Sequence, residues 1–296
     1  MSEKIAVVTD SNSGITQEQG KELGVYVLPM PVLIDGKEYF ENVNLSQEEF
    51  YRMMENGADI TTSQPSPESV TQLWDKLLET YDKIIHIPMS SGLTGSVQTA
   101  KMLAQDYSGA VFVVDNHRIS VTQRQSVMDA KAAAAAGWEA ERIARFLEET
   151  GRDSSIYIML DTLKYLCKGG RITPAAAALG TLLRLKPVLQ IQGDKLDAFA
   201  KARTVKQGKK LMLQAIQHDC ENRFGTPDGS GLHLEMAHTM NDAEIQIFRD
   251  EFAELFPGQE IYIDPLPLSI AVHIGPGSLA VAVSKRFKFD GTAGTV

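Results

Sequence analysis

Three short apolar runs, Lys4 to Asp10, Lys83 to Met89 and Ala110 to Asn116, constrain this chain more than any other feature. Each is shorter than an ordinary helix and apolar at successive positions, as in a strand buried on both faces. Helical patterns separate them, so the runs are expected to lie side by side as a parallel sheet covered by helices. The helix starts are well marked. Thr16 with Gln19 and Ser46 with Glu49 have capping-box spacing, and Ser66 precedes Pro67, a cap before a first-turn proline. Asp35-Gly36, between Val32-Leu33-Ile34 and Glu38-Tyr39-Phe40, predicts a hairpin and thus an antiparallel excursion. An alanine-rich helix over 120–136, ending at Gly137, and an amphipathic one over 139–150 close this half.

With 296 residues, two domains are expected. The reading is an α/β fold: an N-terminal domain over 1–153 with a parallel sheet flanked by helices, a C-terminal α/β domain with a mixed sheet over 154–289, and a loose tail over 290–296. The second half is predicted as a strand over 155–161, a Gly169-Gly170-Arg171 loop and a helix from Pro174 to Leu185. Strands over 187–192 and 195–202, a helix over 204–219, a strand over 232–239 and a helix over 242–255 follow. Two last strands are placed at 260–264 and 269–284. The helix from Pro174 carries Ala175 to Ala178, Leu179, Leu182 and Leu183, small and apolar residues that leave room for an apolar ligand or simply pack a helix on a sheet.

Hydrophobic residues at 43% and charged residues at 23% describe an ordered soluble chain. The absence of a charged-then-apolar leader and of any membrane-length apolar run leads to the expectation of a cytoplasmic protein. Cys167 and Cys220 lack metal-ligand spacing and read as buried thiols, and no metal site is expected. A net charge of −9 argues against nucleic acid as a partner. Charge is uneven, however: between Lys164 and Lys210, eleven Lys or Arg face two Asp, so the strip carries +9 and the remainder −18. Solvated helix faces account for such a strip, as does docking to an acidic partner or an anionic membrane surface.

Three polar segments fall where a parallel sheet places its binding loops. Pro88 to Ser96 (Pro-Met-Ser-Ser-Gly-Leu-Thr-Gly-Ser) follows a strand and enters a helix, so its hydroxyls and backbone N–H groups suit a carboxylate or phosphate. Thr61 to Pro67 offers further donors before a helix, and His273-Ile274-Gly275-Pro276-Gly277-Ser278 sets an imidazole beside a sharp turn. Each segment alone is also an ordinary capped turn.

Together these residues resemble the DegV family of bacterial fatty-acid-binding proteins, which includes the lipid-carrying subunit of fatty acid kinase. The resemblance covers nearly the whole chain. It rests on Val8-Thr9-Asp10-Ser11, Thr62-Ser63-Gln64-Pro65-Ser66, Ser90-Ser91-Gly92-Leu93-Thr94-Gly95, Lys168-Gly169-Gly170-Arg171-Ile172, Leu185-Lys186-Pro187-Val188-Leu189, Ala202-Arg203-Thr204 and His273-Ile274-Gly275-Pro276-Gly277. It implies that Thr62, Ser91 and His273 hydrogen-bond a fatty-acid carboxyl group, supported by Thr61, Ser90, Gly92, Gly275 and Gly277, with Thr61 or Thr62 facing the ligand. No Lys or Arg is required at the head group. It further implies that the chain performs no catalysis and has no cofactor beyond its bound lipid. Instead it would present a long-chain fatty acid to a separate ATP-dependent kinase for acyl-phosphate formation, docking through Arg171 and Arg203. Val97, where the family often has a bulkier residue, and Ile274, where threonine is frequent, depart from the pattern.

Two other readings fit the residue types. Ser91 as nucleophile, His273 as base and Asp10 or Asp115 as orienting acid would make a serine hydrolase, although Met89 stands where a Gly-x-Ser-x-Gly elbow needs glycine. The Ser90 to Ser96 loop would alternatively serve a phosphorylated-small-molecule binding domain. Neither a Gly-x-x-x-x-Gly-Lys-Ser/Thr loop nor a dinucleotide fingerprint follows the first strand.

Overall fold

The computed structural model describes residues 3–171, 173–177, 185–192 and 195–289. Its strands in chain order are β1 (Ile5–Asp10), β2 (Tyr26–Leu28), β3 (Pro31–Ile34), β4 (Lys37–Phe40), β5 (Ile60–Thr62), β6 (Lys83–Ile87), β7 (Val111–Val113), β8 (Ser154–Met159), β9 (Lys186–Ile191), β10 (Asp197–Ala202), β11 (Leu232–His238), β12 (Ile261–Pro265) and β13 (Leu279–Lys285). They form a parallel sheet in the order β2-β1-β6-β7, a small antiparallel sheet β4-β3-β5, and a six-stranded mixed sheet β10-β9-β8-β13-β11-β12.

The three apolar runs become β1, β6 and β7, each trimmed at its ends. Alternation along β1 explains why they read as continuous. Ala6 and Val8 pack with Trp74 and Leu77 of the helix Pro67–Leu78, while Val7 packs on the other face with Val127, Ile143 and Phe146. The helices on that second face, Ser120–Ala135 and Ala140–Glu149, match the predicted pair. Thr16 and Gln19 form the full capping box, and Ser46 and Ser66 each accept from the N–H three residues on. Asp35 and Gly36 both have positive φ, 50° and 79°, giving the primed turn that a tight hairpin needs.

The six-stranded sheet buries one face under the helices Val205–Asn222 and Asp242–Leu255, around Met212, Ile216, Phe248 and Phe252. Its other face meets the first half of the chain, where Ile156, Ile158 and Leu189 pack with Met89, Leu93 and Ile119. The chain end returns across this divide: Phe287 and Phe289 make edge-to-face contacts with Phe146, the latter also with Trp138.

Two expectations are corrected. Leu268–Ile274, placed in a strand by its apolar run, is a helix. All of its residues except His273 are buried and five of the seven are apolar, so Ser269 and His273 alone are too few to display a helical period. It packs on β3 through Leu268, Val272 and Val32. Cys167, read as a buried thiol, is exposed on the outer side of the helix Lys164–Gly169, whose Leu166 points inward; Cys220 is buried, and both thiols are free. The predicted 290–296 tail and residues 178–184 of the predicted helix lie outside the described residues, as does Ile172. Pro174–Ala177 is helical and Ala175 is exposed.

Candidate functional site

In the order β2-β1-β6-β7 the chain leaves β1 toward β2 on one side and later builds β6 and β7 on the other. A crevice therefore opens beyond the carboxyl ends of β1 and β6. Asp10 ties these ends together. Its buried carboxylate accepts from the backbone N–H of Met89 at 2.9 Å and of Asn12 at 3.0 Å, and from Gln123 Nε2 at 3.1 Å. Burial raises its pKa, and these donors oppose the rise.

Against this edge the helix Leu268–Ile274, with Leu166, Arg171 and Leu196 from the second half of the chain, closes a cavity of about 250 Å³. Much of its wall is apolar, from Met30, Met89, Leu93, Ile119, Ile270 and Ile274. Polar groups enter it from separate segments. Thr62, at the end of β5, and His273, near the end of its helix, share a hydrogen bond of 2.9 Å between Oγ1 and Nε2. Strand alternation sends Thr62 inward and leaves Thr61 exposed. Burial, with the Arg171 guanidinium as a second cause, lowers the His273 pKa to about 4, so the ring is neutral near pH 7. With its proton on Nε2, this ring donates to Thr62, whose hydroxyl proton is then free for a ligand acceptor.

The ring is held by glycine. A Cβ on Gly169 would lie 2.3 Å from His273 Nδ1, so only glycine lets the helix Lys164–Gly169 approach so closely. Gly275 has a φ of +76°, and a Cβ there would come within 2.4 Å of the Tyr165 ring. Gly277, also at positive φ, hydrogen-bonds Thr239 O at 2.8 Å. These two glycines shape the turn after His273, and neither lines the cavity.

Ser91, the third carboxyl ligand expected from the resemblance, is not among the cavity's lining residues. Its backbone N–H donates to Asp115 Oδ1 at 3.2 Å. Ser90 is buried and accepts the Gly92 N–H on its hydroxyl at 3.2 Å, an internal loop bond. The wall from this loop comes from Met89, Leu93, Thr94 and Gly95. The hydrolase triad is not assembled: His273 Nε2 is bonded to Thr62 and its Nδ1 faces Gly169, while Asp10 accepts from the Met89 N–H and Asp115 from the backbone N–H of Ser91.

Arg171, expected at a docking surface, lines the cavity, with its guanidinium hydrogen-bonded to the Gly169 carbonyl. A cation thus stands at the cavity wall. Arg203 is exposed, and its N–H donates to Gln207 Oε1 at 2.8 Å. Of the basic strip, Lys168 pairs with Asp59, Lys186 with Asp161, and Lys209 with Glu244 and Glu251. Two polar lining residues were not read from the sequence: Asn12 and Ser269, joined by a 2.6 Å hydrogen bond from Ser269 Oγ to Asn12 Oδ1. Ser269 stands four residues before His273, a spacing that shares a face only once the segment is known to be a helix. Among the described residues no His, Cys, Asp and Glu gather in a group able to hold a metal ion, and no helix is long and apolar enough to cross a membrane.

A parallel sheet, a mixed sheet and a largely apolar cavity carrying a few polar groups define a two-sheet α/β protein. The chain belongs to the DegV family, whose profile matches residues 4–286. A DegV domain-containing protein of Listeria innocua is 32% identical over 290 residues, covering 96% of this chain and 99% of its own. One from Deinococcus radiodurans is 31% identical, with 94% and 98% covered. Among solved structures, a Thermus thermophilus DegV family protein described by its fatty-acid binding is 32% identical, with a TM-score of 0.87 over 95% of this chain and 99% of that one. Bacillus subtilis DegV, described as a fatty acid binding protein, is 26% identical, with a TM-score of 0.84 over 96% and 100%.

Proposed function

We propose that this chain binds one long-chain fatty acid, shields its acyl chain in the cavity between the sheets, and presents its carboxyl group to a separate ATP-dependent kinase. The observation that carries the reading is the cavity itself: a largely apolar wall with a neutral Thr62–His273 pair and one arginine among its polar groups. A carboxylate fits such donors. Thr62 supplies a hydroxyl proton, and Arg171 supplies the charge that keeps the acid ionised. A phosphorylated metabolite would place a polar body against Met89, Leu93 and Ile270, where nothing hydrogen-bonds it. The fatty-acid binding of the Thermus and Bacillus relatives supports the same choice. Catalysis belongs to the partner in this scheme, and the cytoplasm is its compartment.

Native mass spectrometry before and after delipidation tests the binding. A mass increment of one fatty acid, regained on adding oleate, is expected, and a clean mass that takes up no lipid overturns the reading. Thr62→Val removes the hydroxyl and keeps the shape, so affinity should fall about five- to tenfold, the worth of one hydrogen bond.

Exposed Arg203, with Lys201, Lys206 and Lys210 near it in sequence, is the docking surface in this proposal. Arg203→Glu should lower phosphorylation of bound lipid by the kinase and leave lipid content unchanged. Phosphorylation at the wild-type rate removes Arg203 from the interface.

A further inference from the structure

A second, smaller chamber of about 50 Å³ adjoins the main cavity, and Ile119, Leu196, Ile270 and Ile274 line both. Its wall is nearly all hydrocarbon. The reason for the hollow lies in strand register. Ala237 of β11 pairs with Ala280 of β13, which pairs with Ile158 of β8; two residues along, Ala282 pairs with Ile156, which pairs with Ile191 of β9. Ile156, Ile158 and Ile191 are large, but the three alanines leave the middle of this sheet face low. Ile270 and Ile274, on the helix above, therefore do not fill the space down to β13.

We propose that this chamber receives the far end of the acyl chain, and that Ala280 and Ala282 set the longest chain accepted. The inference rests on the fatty-acid reading and adds its length selectivity. The four shared residues form the passage, so a chain too short to reach them is held by the main cavity alone. Each methylene that passes them exchanges water for hydrocarbon, and affinity rises until the floor at β13 is met. Beyond that point a longer chain must fold back or remain exposed.

The test compares wild type, the double variant Ala280→Val with Ala282→Val, and Ile156→Ala, all delipidated, against saturated acids from decanoate to stearate. Valine suits a strand and fills the floor, so the double variant should prefer acids shorter by about two carbons. It should bind the longest wild-type ligand about tenfold more weakly, the worth of roughly two buried methylenes. Decanoate affinity should not change. Ile156→Ala deepens the chamber and should move the preference toward longer acids.

Thermal melts of the lipid-free proteins distinguish a ligand chamber from a packing void. A double variant that melts higher yet keeps the wild-type length profile shows a void only, and the proposal falls. Equal loss of all acids, decanoate included, also overturns it, because the effect is then not on length. Wild type that binds no acid of any length overturns the fatty-acid reading instead.

Discussion

Replacing Gly169 by alanine should weaken fatty-acid binding about ten- to a hundredfold while the protein stays folded. The substitution suits the helix Lys164–Gly169, since alanine is the better helix former. Its Cβ, however, would stand 2.3 Å from His273 Nδ1 and 3.1 Å from Cε1, far inside contact distance. The imidazole is not the far end of a flexible chain. It is fixed by a helix whose other residues are buried and by the 2.9 Å bond to Thr62. Relief therefore requires the ring to turn away from Thr62 or the two helices to part. Either movement breaks the donor pair and disturbs the polar part of the cavity. Hydrogen bonds to charged groups contribute about 1.5–3 kcal/mol, which sets the expected loss. Isothermal titration of delipidated protein with oleate measures it, and circular dichroism shows whether the fold persists. Unchanged affinity would mean that His273 is not part of the carboxyl site.

Glu235→Gln should raise stability at alkaline pH relative to wild type, by an amount on the order of 3 kcal/mol between pH 5 and pH 8. Glu235 lies on β11, 3% exposed, and accepts from Ser284 Oγ at 3.0 Å. Burial pushes its pKa up to about 7; Ser284, Arg118 and Arg124 oppose the rise, and Asp129 adds to it. The native state thus keeps a proton that the unfolded chain releases near its ordinary carboxylate value. Between these two values the native state binds more protons, so the Glu235 contribution declines as pH rises through about 7. Glutamine is neutral throughout and has no such decline. His86 and His233, held down at about 3 and about 4 mainly by burial, act in the opposite direction below pH 6.5, where the unfolded chain protonates first. Both proteins share those histidines, so the difference between their urea midpoints across pH isolates Glu235. Parallel curves would show that the carboxylate is already ionised in the native state.

How much of this was legible in the residues follows from the range of each interaction. Caps and turns act over three or four residues, so Thr16 with Gln19, Ser46, Ser66 and the Asp35-Gly36 hairpin could be read directly. The buried strands of the parallel sheet were legible for a similar reason, since apolar runs of that length have few other uses. Thr62 and His273 were named through the family pattern, and the fold then brought them within hydrogen-bond distance. Ser91 was named by the same route, yet its loop offers the cavity Met89, Leu93 and Thr94 instead.

The sequence by itself determined the α/β class, the positions of most elements and the identity of the polar segments, because these depend on local periodicity and local hydrogen bonds. Tertiary structure alone decided that Leu268–Ile274 is a helix, that Arg171 faces the cavity, and that alanines on β11 and β13 leave a hollow beneath it. A short segment buried on nearly every side, with only Ser269 and His273 as a polar face, holds too little pattern to report its period, and a cavity is space between elements distant in the chain. Such features belong to packing, where the fit of Gly169 against His273 decides more than either residue's own neighbours.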